Sequence, residues 1–242
     1  MIDTIKIGMP HLNFNGLDPV WLFKTLGDRH WSMLNDVTAV NKDNQRLYAS
    51  FFGCEVNFNR GQDFFKENSE LSFQSNIFKF NNQIYRSTHA ISVDDNIATA
   101  TFDSIFVKKD LVSGTLIKDE PISNGRQIDQ IDTVFLDEHK RIKRELGNLD
   151  CSDFNKITFS PELYFNGVKI LYFANYLNLI LLNEYLTFNK ILDPLKKINI
   201  YYFKNIEVTD DVYGKTIQKD DDTYETILLS NNKAIAYCLT KR

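Results

Sequence analysis

The sequence predicts an α+β fold built twice, in which one long helix is followed by a run of strands and the same order returns in the second half. Three observations carry that expectation. Pro10-His11-Leu12-Asn13-Phe14-Asn15-Gly16 is echoed by Pro161-Glu162-Leu163-Tyr164-Phe165-Asn166-Gly167, five of seven positions being identical at an offset of 151 residues. Each copy is followed by an apolar stretch suited to a helix, at 17–34 and 168–186, and Leu26 and Leu177 fall at the same offset. Each helix is followed by β-rich segments, at 47–58, 71–80, 83–93 and 97–108, then at 198–208, 223–229 and 233–240. The expected architecture is two antiparallel sheets, each wrapping a central helix.

Taken in order, the alternating Leu-x-Phe of each motif suits an extended segment, and Asn-Gly supplies a permissive backbone for a tight turn into the helix. Each motif is therefore expected to be a strand-to-helix junction. In the first copy Asp18 can cap the helix and Pro19 can occupy its first position, where a missing amide hydrogen costs nothing. That helix carries Trp21, Leu22, Leu26, Trp31 and Leu34. The second, at 170–186, is the most apolar stretch of the chain. Asn175, Asn178, Asn183 and Glu184 interrupt it well short of the ~20 apolar residues of a spanning helix, so a buried helix is expected and no membrane partner. Between the halves, residues 137–147 read as a charged helix ended by Gly147. The chain then divides into a first repeat at 1–115, a linker at 116–155 and a second repeat at 156–242.

A chain of 242 residues can bury a core without staples, and 43% apolar with 25% charged residues excludes wholesale disorder and collagen-like or coiled-coil architecture. A net charge of −4 removes the broad positive field that non-specific nucleic-acid binding needs. Cys54, Cys151 and Cys238 are far apart and form no C-x-x-C pair, so three reduced thiols are expected. Met1-Ile2-Asp3-Thr4-Ile5-Lys6 has no basic n-region before an apolar run, which makes the cytoplasm the expected compartment. There is no P-loop, dinucleotide fingerprint, nucleophile elbow or H-E-x-x-H, and there are four histidines, so no metal or cofactor is expected.

Ile7-Gly8-Met9-Pro10-His11-Leu12, Asn15-Gly16-Leu17, Trp21-Leu22 and Leu26-Gly27-Asp28-x-His30-Trp31 together resemble the double hot-dog proteins of polyketide biosynthesis, typified by the leinamycin bifunctional acyltransferase/decarboxylase. Phe165-Asn166-Gly167-x-x-x-Leu171-Tyr172-Phe173-Ala174 is similar too. The resemblance implies that each half is a hot-dog unit and that the substrate is a malonyl- or methylmalonyl-CoA thioester. It further implies that the acyl group passes to an acyl carrier protein with loss of carbon dioxide. The family's key tyrosine lies in the strand after the first helix, where Tyr48 fits, in Arg46-Leu47-Tyr48-Ala49-Ser50-Phe51. A homodimer is compatible with the resemblance.

Decarboxylation leaves an enolate, so the site needs preorganised donors around the thioester oxygen. Backbone amides after Asn15-Gly16 and Asn166-Gly167 would supply them if the elbows open helix N-termini; the plainer alternative is that Asn-Gly only makes the turn. Tyr48 is expected to act as a hydrogen-bond donor or proton source, an acyl-tyrosine intermediate being the sharper alternative and packing in an aromatic sheet the bland one. His11 and Glu162 hold equivalent places in the two motifs. They would form an acid/base pair if the chain were a hot-dog dehydratase, or simply order the start of each helix. His30 is either packed in the fold or in contact with substrate. The candidate set is thus Tyr48, Asn15, Gly16 and His11 for catalysis, with His30, Asn166, Gly167 and Glu162 for substrate binding. The basic run Lys140-Arg141-x-Lys143-Arg144 could meet CoA phosphates or an acidic carrier, or be a solvated helix face. A thioesterase or dehydratase acting on acyl-CoA or acyl carrier protein, and a non-catalytic carrier-binding module, are the competing functions.

Overall fold

The computed structural model describes residues 2–35, 40–94, 96–110, 116–122, 127–147, 149–167 and 169–242. The first half runs through β1 (Ile2–Lys6), a small hairpin of β2 (Leu12–Asn13) and β3 (Gly16–Leu17), and helix α1 (Pro19–Asn35). It continues with β4 (Tyr48–Phe58), β5 (Glu70–Lys79), β6 (Ile84–Val93), β7 (Asn96–Lys109) and a short β8 (Leu116–Lys118). Helix α2 (Leu136–Leu146) lies in the connecting segment. The second half comprises β9 (Asn155–Ile157), α3 (Pro161–Tyr164), α4 (Phe173–Phe188), β10 (Lys197–Tyr202), β11 (Val212–Gln218), β12 (Thr223–Ser230) and β13 (Lys233–Lys241). Residue 115, the expected end of the first repeat, and Val168, the expected start of the second helix, lie outside the described residues.

The strands do not form two sheets. They join in one antiparallel sheet of eleven strands in the order β1-β5-β6-β7-β4-β10-β13-β12-β11-β9, with β8 attached to β7. The halves meet where β10 pairs with β4, from Lys197 opposite Asn57 to Tyr201 opposite Gly53. Had each half kept its own sheet, both strands would have presented unpaired backbone groups along a buried seam. The order is a palindrome: in each half the strand that follows the long helix lies at the seam, and the short strand that precedes it lies at the outer edge. This pseudo-twofold arrangement relates α1 to α4. Both helices share one apolar core, in which Leu22, Phe23 and Leu26 of α1 meet Leu177, Leu179 and Ile180 of α4 and the inward rows Cys54–Val56–Phe58 and Ile198–Ile200. Strand β11 escaped the sequence pattern because Gly214 interrupts its alternation. A side chain there would meet Asn183 at 2.6 Å, so the glycine is what lets α4 approach the sheet.

The expected strand-to-helix elbows are turns instead. In the first copy Leu12 pairs with Leu17 and Asn13 with Gly16, and α1 starts only at Pro19, with Asp18 Oδ1 accepting the Val20 amide at 2.9 Å. Gly16 is needed at the turn: its φ is +112° and a Cβ would lie 2.4 Å from the Gln62 carbonyl. In the second copy α3 replaces the expected strand, Phe165 bridges to Leu171, and α4 starts at Phe173. The matching hydrogen bonds are Asp18 N to His11 O and Tyr172 N to Tyr164 O. They make His11 equivalent to Tyr164, not to Glu162, and move the true offset to 153 and then 154 residues. The visible repeat therefore lay two to three residues out of structural register.

The connecting segment is clamped to the outer face of the sheet. Asp103, fully buried, pairs with Arg86 at 2.6 Å and accepts the Phe135 amide at 2.6 Å. The ring of Phe135 sits over Gly53, where a Cβ would come within 2.8 Å of it. His139 of α2 donates to the Tyr202 carbonyl from Nε2 at 2.9 Å. The helix ends at Gly147, whose φ is +50°. Arg141 is held between Glu138 and Glu145, each at 2.6 Å, so part of the basic run is neutralised on the helix surface.

Beneath α1, a buried polar chain crosses three strands. Ser75 and Ser87 flank His89 at 2.8 Å each, and Ser87 and Ser104 flank His30 at 2.7 Å each. His30 is 0% exposed. It is therefore a core group and not the substrate contact expected of it. Burial, reinforced for His30 by His89 and for His89 by Arg29, lowers both imidazoles from 6.5 to about 3. The unfolded chain thus binds up to two more protons than the folded one between about pH 6.5 and 3. Stability is complete above that window and falls as the pH drops through it. We expect the ring resonances of His30 and His89 to stay neutral in NMR titrations down to pH ~4, with the denaturant midpoint falling in parallel from pH 6.5.

Candidate functional site

A cavity of about 280 Å³ opens where the seam comes apart. Strand β4 pairs with β10 only from Gly53 onward. Ahead of Gly53, a register shift between Phe51 and Gly53 bends β4, while past Tyr202 the other chain stays on β13 through Phe203 N to Ile235 O at 2.9 Å. The residues Tyr48, Ala49, Ser50 and Phe51 thus line one wall, Tyr202 and Asn205 another, and the two helices close the remainder through Gly27, Asp28 and Trp31 of α1 and Phe173 and Tyr176 of α4.

The wall between helices and sheet is aromatic, with Phe51 and Phe173 centroids 4.3 Å apart. Gly27 makes that packing achievable, since a Cβ there would lie 2.5 Å from Phe173 Cζ. Polar groups sit around this apolar floor. Arg46 places its guanidinium 5.5 Å from the Tyr48 ring centroid. The hydroxyl of Tyr172, the residue just before α4, lies against α1 beside Asp28, 3.7 Å from where a Cβ on Gly27 would stand, and both side chains line the cavity. Partial desolvation by the surrounding protein raises the Asp28 carboxyl above its ordinary value of 3.8, while Tyr172 opposes that rise. The Tyr172 phenol is pushed up by burial and by the adjacent Asp28 charge. Tyr176 donates to the Lys204 carbonyl at 2.9 Å, and burial raises both it and Tyr202. The hydroxyl of Tyr48, half-buried in the wall, bonds no other described residue.

Of the eight residues singled out from sequence, the cavity brings together Tyr48 and Asn166. The side chain of Asn166 is engaged in its own turn, its Oδ1 accepting the Ile170 amide at 3.1 Å. Asn15 instead ties the β2–β3 hairpin to the second half, donating to the Leu192 carbonyl at 3.1 Å. His11 accepts the Gly8 amide at 2.9 Å through Nδ1 and packs against Trp21, the tilted rings 4.6 Å apart at their centroids. Gly16 belongs to the hairpin turn, Glu162 is exposed on α3, and a Cβ at Gly167 would meet nothing within 4 Å. Neither Asn-Gly pair starts a helix, so the amides after them are not helix-terminal donors. The residues missed were Asp28, Tyr172 and Arg46. All three lay inside the strings that carried the family resemblance or the Tyr48 assignment, but a carboxylate and a phenol 144 residues apart offer no local spacing signal.

No family model matches this sequence, and no curated protein matches it. Solved structures do. A 12:0-ACP thioesterase from Umbellularia californica superposes with a TM-score of 0.71 at 7% identity, over 100% of this chain and 96% of that one. An acyl-ACP thioesterase from Bacteroides thetaiotaomicron gives 0.67 at 13% identity, over 100% and 96%. A MaoC-like dehydratase from Phytophthora capsici gives 0.51 at 8% identity, over 80% and 72%. At these identities the likeness establishes the fold: the chain is of the hot-dog type, here duplicated within one polypeptide. Because neighbours of that fold carry different chemistries, the fold does not choose among them. Among the described residues no helix is long and apolar enough to cross a membrane, and no cluster of His, Cys, Asp or Glu could hold a metal ion.

The Gly27–Phe173 contact can be tested directly. Gly27→Ala gains roughly 1 kcal/mol of helix propensity but forces Phe173 to move, at a cost of about 1–3 kcal/mol. A fall in melting temperature of a few degrees is expected, with Gly27→Leu unfolding the chain or filling the cavity.

Proposed function

We propose that this chain processes an acyl thioester in the seam cavity: it decarboxylates a malonyl- or methylmalonyl-CoA thioester and passes the acyl group to an acyl carrier protein. The observation that carries the reading is Tyr48, the tyrosine the family resemblance singled out, standing in the cavity wall with its hydroxyl uncommitted to any described residue and Arg46 beside it. The fold supports it at the level of scaffold. The cavity supports it chemically, offering an aromatic slot for the thioester and a guanidinium for the substrate carboxylate.

In this reading Arg46 holds the carboxylate and the aromatic wall excludes water around the reacting carbon. The bond from the α-carbon to the carboxylate breaks, carbon dioxide leaves, and the electron pair passes into the thioester as an enolate. Tyr48 gives its phenolic proton to the α-carbon and is reprotonated from solvent. The acyl group then moves from the CoA sulfur to the carrier's thiol. No cofactor takes part; the CoA thioester is substrate.

Incubation with malonyl- and methylmalonyl-CoA and a phosphopantetheinylated carrier protein should yield a carrier mass increased by acetyl or propionyl, read by mass spectrometry. Free acid in place of acylated carrier would favour a thioesterase. Tyr48→Phe should lower turnover at least ~100-fold with an unchanged melting temperature. Arg46→Ala should raise the KM of a carboxylated thioester by ~10-fold or more, consistent with loss of a charge-assisted hydrogen bond worth about 1.5–3 kcal/mol, and leave that of acetyl-CoA nearly unmoved.

A further inference from the structure

The cavity holds a second acid–base group that neither the repeat nor the family resemblance brought forward. Asp28 lies in the middle of α1 and is open to the cavity. Its partner Tyr172 comes from the other half of the molecule, at the residue preceding α4. The pseudo-twofold explains why a phenol is there: Tyr172 occupies the position that Asp18 holds ahead of α1. Asp18 uses its carboxylate to cap its own helix, whereas the Tyr172 side chain makes no capping bond. It reaches across to α1 instead. The duplicated positions have diverged, one kept as a cap and the other turned to face a carboxylate across the seam.

Resting on the reading above, we propose that Asp28, oriented by Tyr172, is the acid–base residue of the acyl-transfer step. The carboxylate takes the proton of the incoming carrier thiol as its sulfur bonds to the thioester carbon. When the tetrahedral intermediate collapses, the bond from that carbon to the CoA sulfur breaks and the same proton passes from Asp28 to the departing sulfur. The step is proton-neutral and needs no co-reactant. The phenol donates to one side of the carboxylate and so fixes its orientation, leaving the other oxygen for the thiol. Tyr48 serves the decarboxylation and Asp28 the transfer, which gives two chemically distinct half-reactions separate groups in one cavity. The titratable groups that line the cavity with Asp28 are Arg46, Tyr48, Lys109, Tyr172, Tyr176 and Tyr202. Of these, Tyr172 favours the ionised carboxylate, against the desolvation that raises it.

The test uses the full chain with methylmalonyl-CoA and two acceptor thiols: pantetheine, which is largely protonated at neutral pH, and an aromatic thiol already ionised there. Asp28→Asn should slow propionyl transfer to pantetheine at least 100-fold, whereas the loss with the ionised thiol should be under tenfold, because that acceptor needs no base. Tyr172→Phe removes a donor that favours the ionised carboxylate, so the acid limb of the pantetheine pH profile should move to higher pH. Equal losses with both thiols in folded Asp28→Asn, or unimpaired transfer to pantetheine, would overturn the role of Asp28 while leaving the parent reading intact. An unshifted acid limb in Tyr172→Phe overturns the role given to Tyr172. A wild-type chain that neither releases carbon dioxide nor acylates either thiol overturns the parent reading and this one with it.

Discussion

The pairing of β4 with β10 is the constraint on which the rest of the molecule depends. It converts two short sheets with exposed edges into one continuous sheet, and it brings α1 and α4 side by side on the same face. Because each half contributes its seam strand immediately after its long helix, closing the seam also fixes how the two helices meet. The pairing stops at Gly53, and that interruption produces the cavity. A bulge in β4 and the departure of the chain after Tyr202 leave a gap that neither half fills alone. The site is thus a by-product of where the hydrogen-bond ladder ends.

The seam is reinforced from the outer face. Phe135 sits in the space left by Gly53, its amide bound to the buried Asp103 and its ring 4.7 Å beneath the Arg86 guanidinium. Burial raises the Asp103 carboxyl, and the Arg86 pairing and the Phe135 amide act against that rise. A charge in that position is tolerated only while both partners stay in place. The linker is therefore held beside the bulge that shapes the cavity. A comparable arrangement closes the far end of the second half, where Glu184 of α4 accepts from Thr240 at 2.7 Å and from Arg242.

Much of the scaffold could be read because it depends on local alternation. The rows of β4, β6 and β7 announce themselves through residues such as Cys54, Val56 and Phe58, or Ala98, Ala100 and Phe102, which point inward at a spacing of two. The duplication was legible too, but in the wrong register. The Asn-Gly pairs aligned by identity, whereas the folded chain aligns His11 with Tyr164 and Asp18 with Tyr172, the second turn being one residue longer than the first between these hydrogen bonds. That slip explains why His11 and Glu162 looked paired and are not. His30 misled for another reason: a histidine beside a tryptophan on a helix carries no mark of which way it faces, and here it faces Ser87 and Ser104 in the core.

By itself the sequence determined the class of fold, its twofold repetition and the tyrosine worth watching, since apolar periodicity, repeated motifs and family strings are properties of neighbouring residues. Tertiary structure alone decided that the halves share one sheet, that the seam parts at Gly53, and that Asp28 meets Tyr172 across it. Those outcomes depend on strand-edge pairing and on contacts between groups more than a hundred residues apart. Backbone hydrogen bonds along an edge carry no side-chain signature, so nothing in the order of residues could have announced where they would end.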